Sequence, residues 1–399
     1  MRTAIVGGGA AGFFAAISLK ERCPQMRVTL FERSRHLLRK VLVSGGGRCN
    51  CTNTFEDVAD LSHVYPRGHR LMKRLMKGFS QKDAYAWFEA HGVPLVVEPD
   101  QCVFPAAQDA HAVADCFLHH ARRYGVDIVT GTAITSLDDL SDYDYIVLAM
   151  GGQPRMESLR WLQELGHEIV APVPSLFTFG IDDAGLHALM GTVVEDATAF
   201  IPATTFRASG PLLVTHWGMS GPAILKLSSY AARYLAEHAY QSPLAVNWTG
   251  CNEEQARQHL LSDLMAQAGR QLTSIRPFDL PSRLWHHLVA KALSCPTDAA
   301  IPIASLGKKA VNRLVAVLTA DAYDIASRAP FKDEFVTCGG IALSAVNAAT
   351  LESRHRPHLY FVGELLDIDG ITGGFNFQAA WTTAYTAAKA IAEAAQERA

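Results

Sequence analysis

The sequence is poor in most features of a secreted, membrane-spanning or nucleic-acid-packaging protein. Its eight cysteines are thinly spread over 399 residues, unlike the dense disulfide framework of a small secreted domain, and this usage predicts a reducing cytoplasm. Charge of one sign is nearly absent in excess: 36 Lys+Arg against 39 Asp+Glu leave a net −3. The whole molecule therefore has no field suited to DNA or an anionic membrane, and any polyanion must be met by a local patch. The longest uncharged run, Ala4 to Leu19, is shorter than the ~20 residues of a membrane helix. With Arg2 ahead of it the run imitates a signal peptide, but cleavage there would discard the most chemically informative segment of the chain. Repeats, low-complexity tracts, G-x-S-x-G and Walker motifs are all missing.

What is present is an ordinary globular composition, 49% hydrophobic and 19% charged, in a chain long enough for two or three domains at ~100–200 residues each. A short apolar strand ending near Val6 runs into Gly7-Gly8-Gly9-Ala10-Ala11-Gly12, which contains G-x-G-x-x-G. An alanine-rich helix to about Glu21 follows, then an apolar strand ending at Glu32-Arg33. Strand, glycines, helix and acid are spaced as in a βαβ dinucleotide unit. Gly7 permits the tight turn, Gly9 leaves room for a pyrophosphate, Gly12 lets helix approach strand, and the helix start supplies positive potential. Glu32 suits ribose hydroxyls and repels a 2′-phosphate, so FAD or NAD is expected before NADP.

A second glycine cluster, Arg39 to Asn53 (RKVLVSGGGRCNCTN), separates FAD from NAD, since NAD dehydrogenases have no use for it there. Lys40, Ser44, Gly45, Gly46, Arg48, Cys49, Asn50, Thr52 and Asn53 are the expected cofactor residues of this loop, with Arg48 a fixed positive charge. Near the C-terminus, an apolar strand ends at Gly363-Glu364, and Asp367 precedes Gly373-Gly374-Phe375-Asn376-Phe377-Gln378 at the start of a helix expected over 379–395. That helix start would stabilise negative charge developing on a reduced flavin. Ala133, Ala149, Gly151 and Gly152 complete the expected contacts around a strand ending in A-x-G-G. No second G-x-G-x-x-G follows it, so nicotinamide has no dedicated domain and would bind transiently.

The runs GGGAAG, GGGRCNCTN and TGGFNFQ, together with YPRG at Tyr65–Gly68, THWGMSGPAIL at Thr215–Leu225 and TCGGI at Thr337–Ile341, resemble the BaiN-like or aminoacetone-oxidase-like NAD(P)/FAD-dependent oxidoreductases. The resemblance extends over essentially the whole chain. One departure is Leu38, which stands where relatives usually carry a glycine before the Arg39-Lys40 pair. The expected fold class is α/β, a two-dinucleotide-binding (Rossmann-like) FAD domain interrupted by a β-barrel-like insert and a small helical insert. The expected boundaries are 1–167 and 335–399 for the FAD domain, 168–250 and 326–334 for the β-rich insert, and 251–325 for the helical insert.

The resemblance implies non-covalent FAD, NAD(P)H as transient electron donor, and reduction of an activated C=C bond in a small-molecule substrate. Its alternatives are an aminoacetone-type amine oxidase using oxygen, and reduction of a uracil base in RNA. Arg70, Lys73, Arg74 and Lys77, on one expected helix face, would grip RNA phosphates in the latter case. His216, between a strand and a helix, is the candidate proton donor. Cys49-x-Cys51 has poor disulfide spacing, and no metal site is expected.

Overall fold

Short runs of β-branched and aromatic residues form a five-stranded parallel sheet from β1 (Arg2–Val6), β2 (Arg27–Glu32), β3 (Asp127–Thr130), β4 (Tyr145–Leu148) and β5 (Leu359–Phe361). Their order is β5-β4-β1-β2-β3. Because β1 is flanked by β2 on one side and β4 on the other, the order reverses at its carboxyl end, where open α/β sheets leave a ligand crevice. Helix α1 (Ala10–Arg22) follows β1 directly and is buried along Ala11–Leu19. Its small side chains let it lie close against α2 (Phe375–Glu397), which is likewise alanine-rich. The C-terminal helix thus starts earlier than the sequence suggested, immediately after the left-handed Gly374.

The computed structural model describes residues 1–329 and 336–398, divided into two compact units. The first comprises Met1–Pro174 with 336–398; the second runs from Ser175 to 329. Residues 168–174, expected in the β-rich insert, belong to the first unit because the strand Ile169–Ser175 pairs with Val336–Ile341. A small antiparallel sheet of Thr52–Asn53, Cys102–Pro105 and Leu95–Val97 backs the second glycine loop.

The second unit holds a seven-stranded antiparallel sheet. Its two outermost strands, Asp321–Ile325 and Ser327–Arg328, are consecutive pieces of chain, so one stretch joins both sheet edges and the sheet curls round into a barrel. Helices Glu253–Ala266, Ser282–Leu293 and Lys308–Ala320 form the helical part. Residues 321–325, assigned to that part from the sequence, are a strand. Their alternating buried and exposed side chains carry period two, which the preceding helical pattern masked. The expected boundary at 334/335 lies outside the described residues.

Buried polar pairing supports the segment that leads into α2. The carboxylate of Asp369, fully buried, accepts two hydrogen bonds from the Arg67 guanidinium, one of them from Nε at 2.6 Å. Removing one partner of such a pair strands the other charge. Asp369→Ala is expected to lower the unfolding free energy by about 3–5 kcal/mol, and Arg67→Met with Asp369→Leu to recover part of it. Denaturant midpoints decide this; a loss of under about 1 kcal/mol would place the pair with weak surface bridges.

Candidate functional site

The turn after β1 is built where backbone meets backbone. A Cβ on Gly7 (φ +120) would lie 2.2 Å from the Ala149 carbonyl oxygen, and one on Gly12 only 1.9 Å from the Gly7 carbonyl oxygen. Neither position tolerates a side chain. Gly9 differs, since a Cβ there would meet nothing within 4 Å: it borders open space at the start of α1. That start has no side-chain cap and no acidic residue in its first turn, so its N–H groups and positive dipole end are left for a ligand. Gly8 is tighter than the motif implies. A Cβ would come within 2.6 Å of Leu37 Cδ2 and 2.9 Å of Glu32 Cβ.

Glu32 is fixed beside this turn because Oε2 accepts the Gly8 N–H at 2.8 Å and Oε1 the Ser34 N–H at 2.8 Å. Each oxygen keeps capacity for a further donor such as a ribose hydroxyl. Glu32, Arg33 and Ala133 border a crevice of about 430 Å³ at the strand ends, with Thr132, Gln153 and Trp161 on its walls. Sequence reasoning missed these last three, which follow β3 and β4 without a motif of their own.

The second glycine cluster is a helical turn from Arg39 that breaks at Ser44 (ψ 152) into Gly45, Gly46 and Gly47, all with positive φ. Cβ atoms on Gly46 and Gly47 would meet nothing within 4 Å, so the exposed loop leaves its backbone open to close approach by a ligand. Leu38, where the resemblance places glycine, adopts φ 55. The ~1–2 kcal/mol cost of that conformation is offset by burial of the Leu38 side chain, 2% exposed, which contributes about 1.5–3 kcal/mol.

Arg48 turns away from a simple anion-binding role: Nη1 pairs with Glu98 at 2.6 Å and Gln108 at 2.8 Å, and the guanidinium lies 4.1 Å over the Phe104 ring. It clamps the loop to the small sheet. Lys40 and Glu364, predicted from opposite ends of the chain, form an ion pair at 2.7 Å. Glu364 also accepts the Thr337 N–H, and Gly152 fits in a gap beside both residues where a Cβ would sit 2.4 Å from each.

The two distant segments zip together. Thr52 Oγ1 donates to Gln378 Oε1 at 2.6 Å and Asn53 Nδ2 to the Gly373 carbonyl at 3.2 Å. With its amide correctly oriented, Asn50 accepts the Gly374 N–H at 3.2 Å. Gly374 itself needs to be glycine, because a Cβ would lie 2.3 Å from the Thr52 carbonyl. Tyr65 donates to the Phe375 carbonyl, and Asn376 makes both amide bonds to Gly370. The start of α2 has neither a side-chain cap nor an acidic residue in its first turn. Gly363 approaches α1 closely, a Cβ falling 2.9 Å from Ala11 Cβ. Asp367 is half-buried nearby, its N–H donating to the Ile341 carbonyl.

Cys49 and Cys51 are fully buried with sulfurs 3.9 Å apart. The hydrogen bond with Cys49, then burial, pushes the Cys51 thiol well above its ordinary pKa, so it stays protonated and unreactive at neutral pH. His216 is exposed in the second unit, on the turn Thr215–Gly218, with its ring 4.9 Å from that of Trp217. The basic residues Arg70, Lys73, Arg74 and Lys77 are all exposed, although the helix itself spans only His69–Leu75. Among the described residues no His/Cys/Asp/Glu group could hold a metal ion, and no helix is long and apolar enough to cross a membrane.

An open glycine turn with a carboxylate beside it, a second open glycine loop and an uncapped helix start leave room for FAD, and the chain is an FAD-dependent oxidoreductase with a Rossmann-type domain. Residues 1–390 match the HI0933-like protein Rossmann domain family, to which the chain belongs. It is 26% identical to a 3-dehydro-bile acid delta(4,6)-reductase of Clostridium scindens, over 98% of this chain and 99% of the other. It is 25% identical to a ribosomal RNA dihydrouridine synthase of Haemophilus influenzae, over 97% of each. Among solved structures, 3-ketosteroid delta1-dehydrogenase of Sterolibacterium denitrificans shares the fold with a TM-score of 0.52 at 11% identity, over 98% of this chain and 99% of that one.

Gly9→Val should lose FAD while keeping its fold, because the side chain enters only the open space. Gly12→Ala should fail to fold, its Cβ striking backbone. Flavin absorbance and circular dichroism on each purified variant check this; a Gly9→Val protein that retains FAD would show that the phosphates lie elsewhere. The Cys49→Ser, Cys51→Ser double variant should retain FAD and turnover, and loss of turnover with FAD retained would assign the thiols a redox role.

Proposed function

We propose that this protein saturates a carbon–carbon double bond conjugated to a carbonyl, using hydride delivered through FAD from NAD(P)H. The observation that carries this reading is the full-length similarity to two enzymes with different substrates and one shared chemistry. A bile-acid delta(4,6)-reductase and a dihydrouridine synthase both saturate an activated C=C bond. Bound FAD supplies reversible hydride acceptance and donation, while the protein orients it and tunes its electronics.

The residues of this chain then have defined tasks. Gly7, Gly9, Gly12 and the α1 start hold the pyrophosphate, and Glu32 the ribose. The Gly45–Gly47 loop and the α2 start, joined through Asn50, Thr52, Asn53 and Gln378, hold the reactive end. There the uncapped N–H groups stabilise negative charge during reduction. With no second dinucleotide motif in the sequence, nicotinamide is proposed to bind transiently, in a cytoplasmic setting. His216 is proposed to supply the proton that accompanies hydride to the double bond.

The exposed cations Arg70, Lys73, Arg74 and Lys77 favour a second reading, in which the double bond belongs to uracil in RNA. Four phosphate contacts would give a steep salt dependence of binding. An amine-oxidase reaction is the remaining alternative.

Stopped-flow mixing separates these readings. NADH or NADPH should bleach the flavin without oxygen, and a 3-oxo-4-ene steroid should restore its colour. Reoxidation by uridine-containing RNA, but not by the steroid, would select the RNA reading, and bleaching by aminoacetone alone would select the oxidase. His216→Gln should leave the first half-reaction intact and slow the second by about 10²–10⁴-fold, the usual contribution of a positioned acid. Parent rates in both half-reactions would make His216 structural.

A further inference from the structure

We propose that the first unit contains an aromatic relay that carries an oxidising equivalent from the flavin cradle to the protein surface at Tyr124. The proposal rests on the FAD reading above. Indole and phenol, thiols aside, are the side chains that release an electron most readily, so their placement sets where an electron vacancy travels. Trp381 in α2 is fully buried, donates its N–H to the Cys51 carbonyl at 2.8 Å, and stacks on Phe377 in the first turn of α2 with centroids 5.5 Å apart. Both contacts belong to the segments that form the cradle.

Trp87, on the helix Gln81–Ala90, is the second indole. Phe14, Phe88 and Phe117 each touch both: their centroids lie 5.3, 5.5 and 5.5 Å from Trp381 and 4.7, 5.1 and 5.8 Å from Trp87. A single layer of rings therefore bridges the two indoles, with no polar gap. Trp87 in turn stacks on His91 at 3.8 Å, and His91 Nε2 pairs with Glu21 Oε1 at 2.7 Å. The Tyr124 hydroxyl donates to the same carboxylate oxygen at 3.3 Å.

This last contact makes Tyr124 the terminus. A phenol that loses an electron must also shed its proton, and Glu21 is the acceptor in place. Burial raises the Glu21 pKa, but the hydrogen bond and charge of His91, together with hydrogen bonds from Trp87 and Tyr124, hold the carboxyl below its ordinary value, so it is ionised and in place to accept. A side branch through Phe79 to Tyr385 has ring contacts of 5.4 and 4.4 Å. There the Arg22 guanidinium lies 4.4 Å over the Tyr385 ring, and its positive charge opposes an electron vacancy.

With oxidised FAD bound and excited by blue light, Trp381 gives one electron to the flavin, Trp87 refills Trp381, and Tyr124 refills Trp87 while passing its proton to Glu21. The net change is one electron from Tyr124 to the flavin and one proton from Tyr124 to Glu21.

Time-resolved absorption of the FAD-loaded protein after a blue flash tests the relay. The parent should show an indole radical followed by a longer-lived tyrosyl radical. Tyr124→Phe, a change at a half-exposed site whose FAD content and circular dichroism should match the parent, should lose the tyrosyl signal and shorten the radical lifetime. Trp87→Phe should leave only rapid recombination. No tyrosyl radical in the parent, one that survives Tyr124→Phe, or one lost instead in Tyr385→Phe would overturn the proposal. Absence of bound FAD, seen as missing flavin absorbance before the flash, would overturn the cofactor reading and the relay with it.

Discussion

The first unit depends on a close approach of backbone to backbone at the carboxyl end of β1. Gly12 lies so near the Gly7 carbonyl, and Gly7 so near that of Ala149, that a Cβ on either would fall within 2.2 Å of an oxygen. This packing seats the α1 start against the end of β1 and sets the line along which α1 meets α2. Since α2 carries Phe375, Asn376 and Gln378, the N-terminal turn also governs the far end of the site. The alanine content of both helices follows from the same constraint, because larger side chains between them would lift the helix starts off the sheet.

A second level of organisation is the junction of residues 50–53 with 373–378. Its hydrogen bonds span more than three hundred residues of sequence, and three of its partners, Thr52, Asn53 and Gln378, are buried. Such bonds cost stability when half-made, so the junction forms as a whole or not at all. The two segments are thus already joined without a ligand, which lowers the ordering cost of binding. The buried Arg67–Asp369 pair and the Arg48 clamp support it from either side.

Much of this was legible in the sequence because local chemistry dictated it. The spacing of Gly7, Gly9, Gly12 and Glu32 already implied a strand, turn, helix and acid in register, and the structure puts each in the expected relation. What could not be read were contacts made by chain arriving from elsewhere. Gly8 is tight only because Leu37 folds back over it. Leu38 sits in a left-handed conformation because its burial outweighs the strain. Arg48 looked like an anion ligand until Glu98 and Gln108 were seen to hold it. Residues 321–325 looked helical from their neighbours, whereas their pairing with Ser242–Asn247 makes them strand. The crevice residues Thr132, Gln153 and Trp161 carry no signature beyond following β3 and β4.

The central claim is that segments from both ends of the chain build one cradle for one extended dinucleotide. Hydrogen–deuterium exchange of the protein stripped of flavin, compared with the same protein after adding FAD, tests it most directly. FAD should protect 7–12, 44–53 and 373–378 simultaneously, and FMN should fail to protect 7–12. Protection confined to residues 7–12 and the crevice, with 44–53 and 373–378 unchanged, would contradict it.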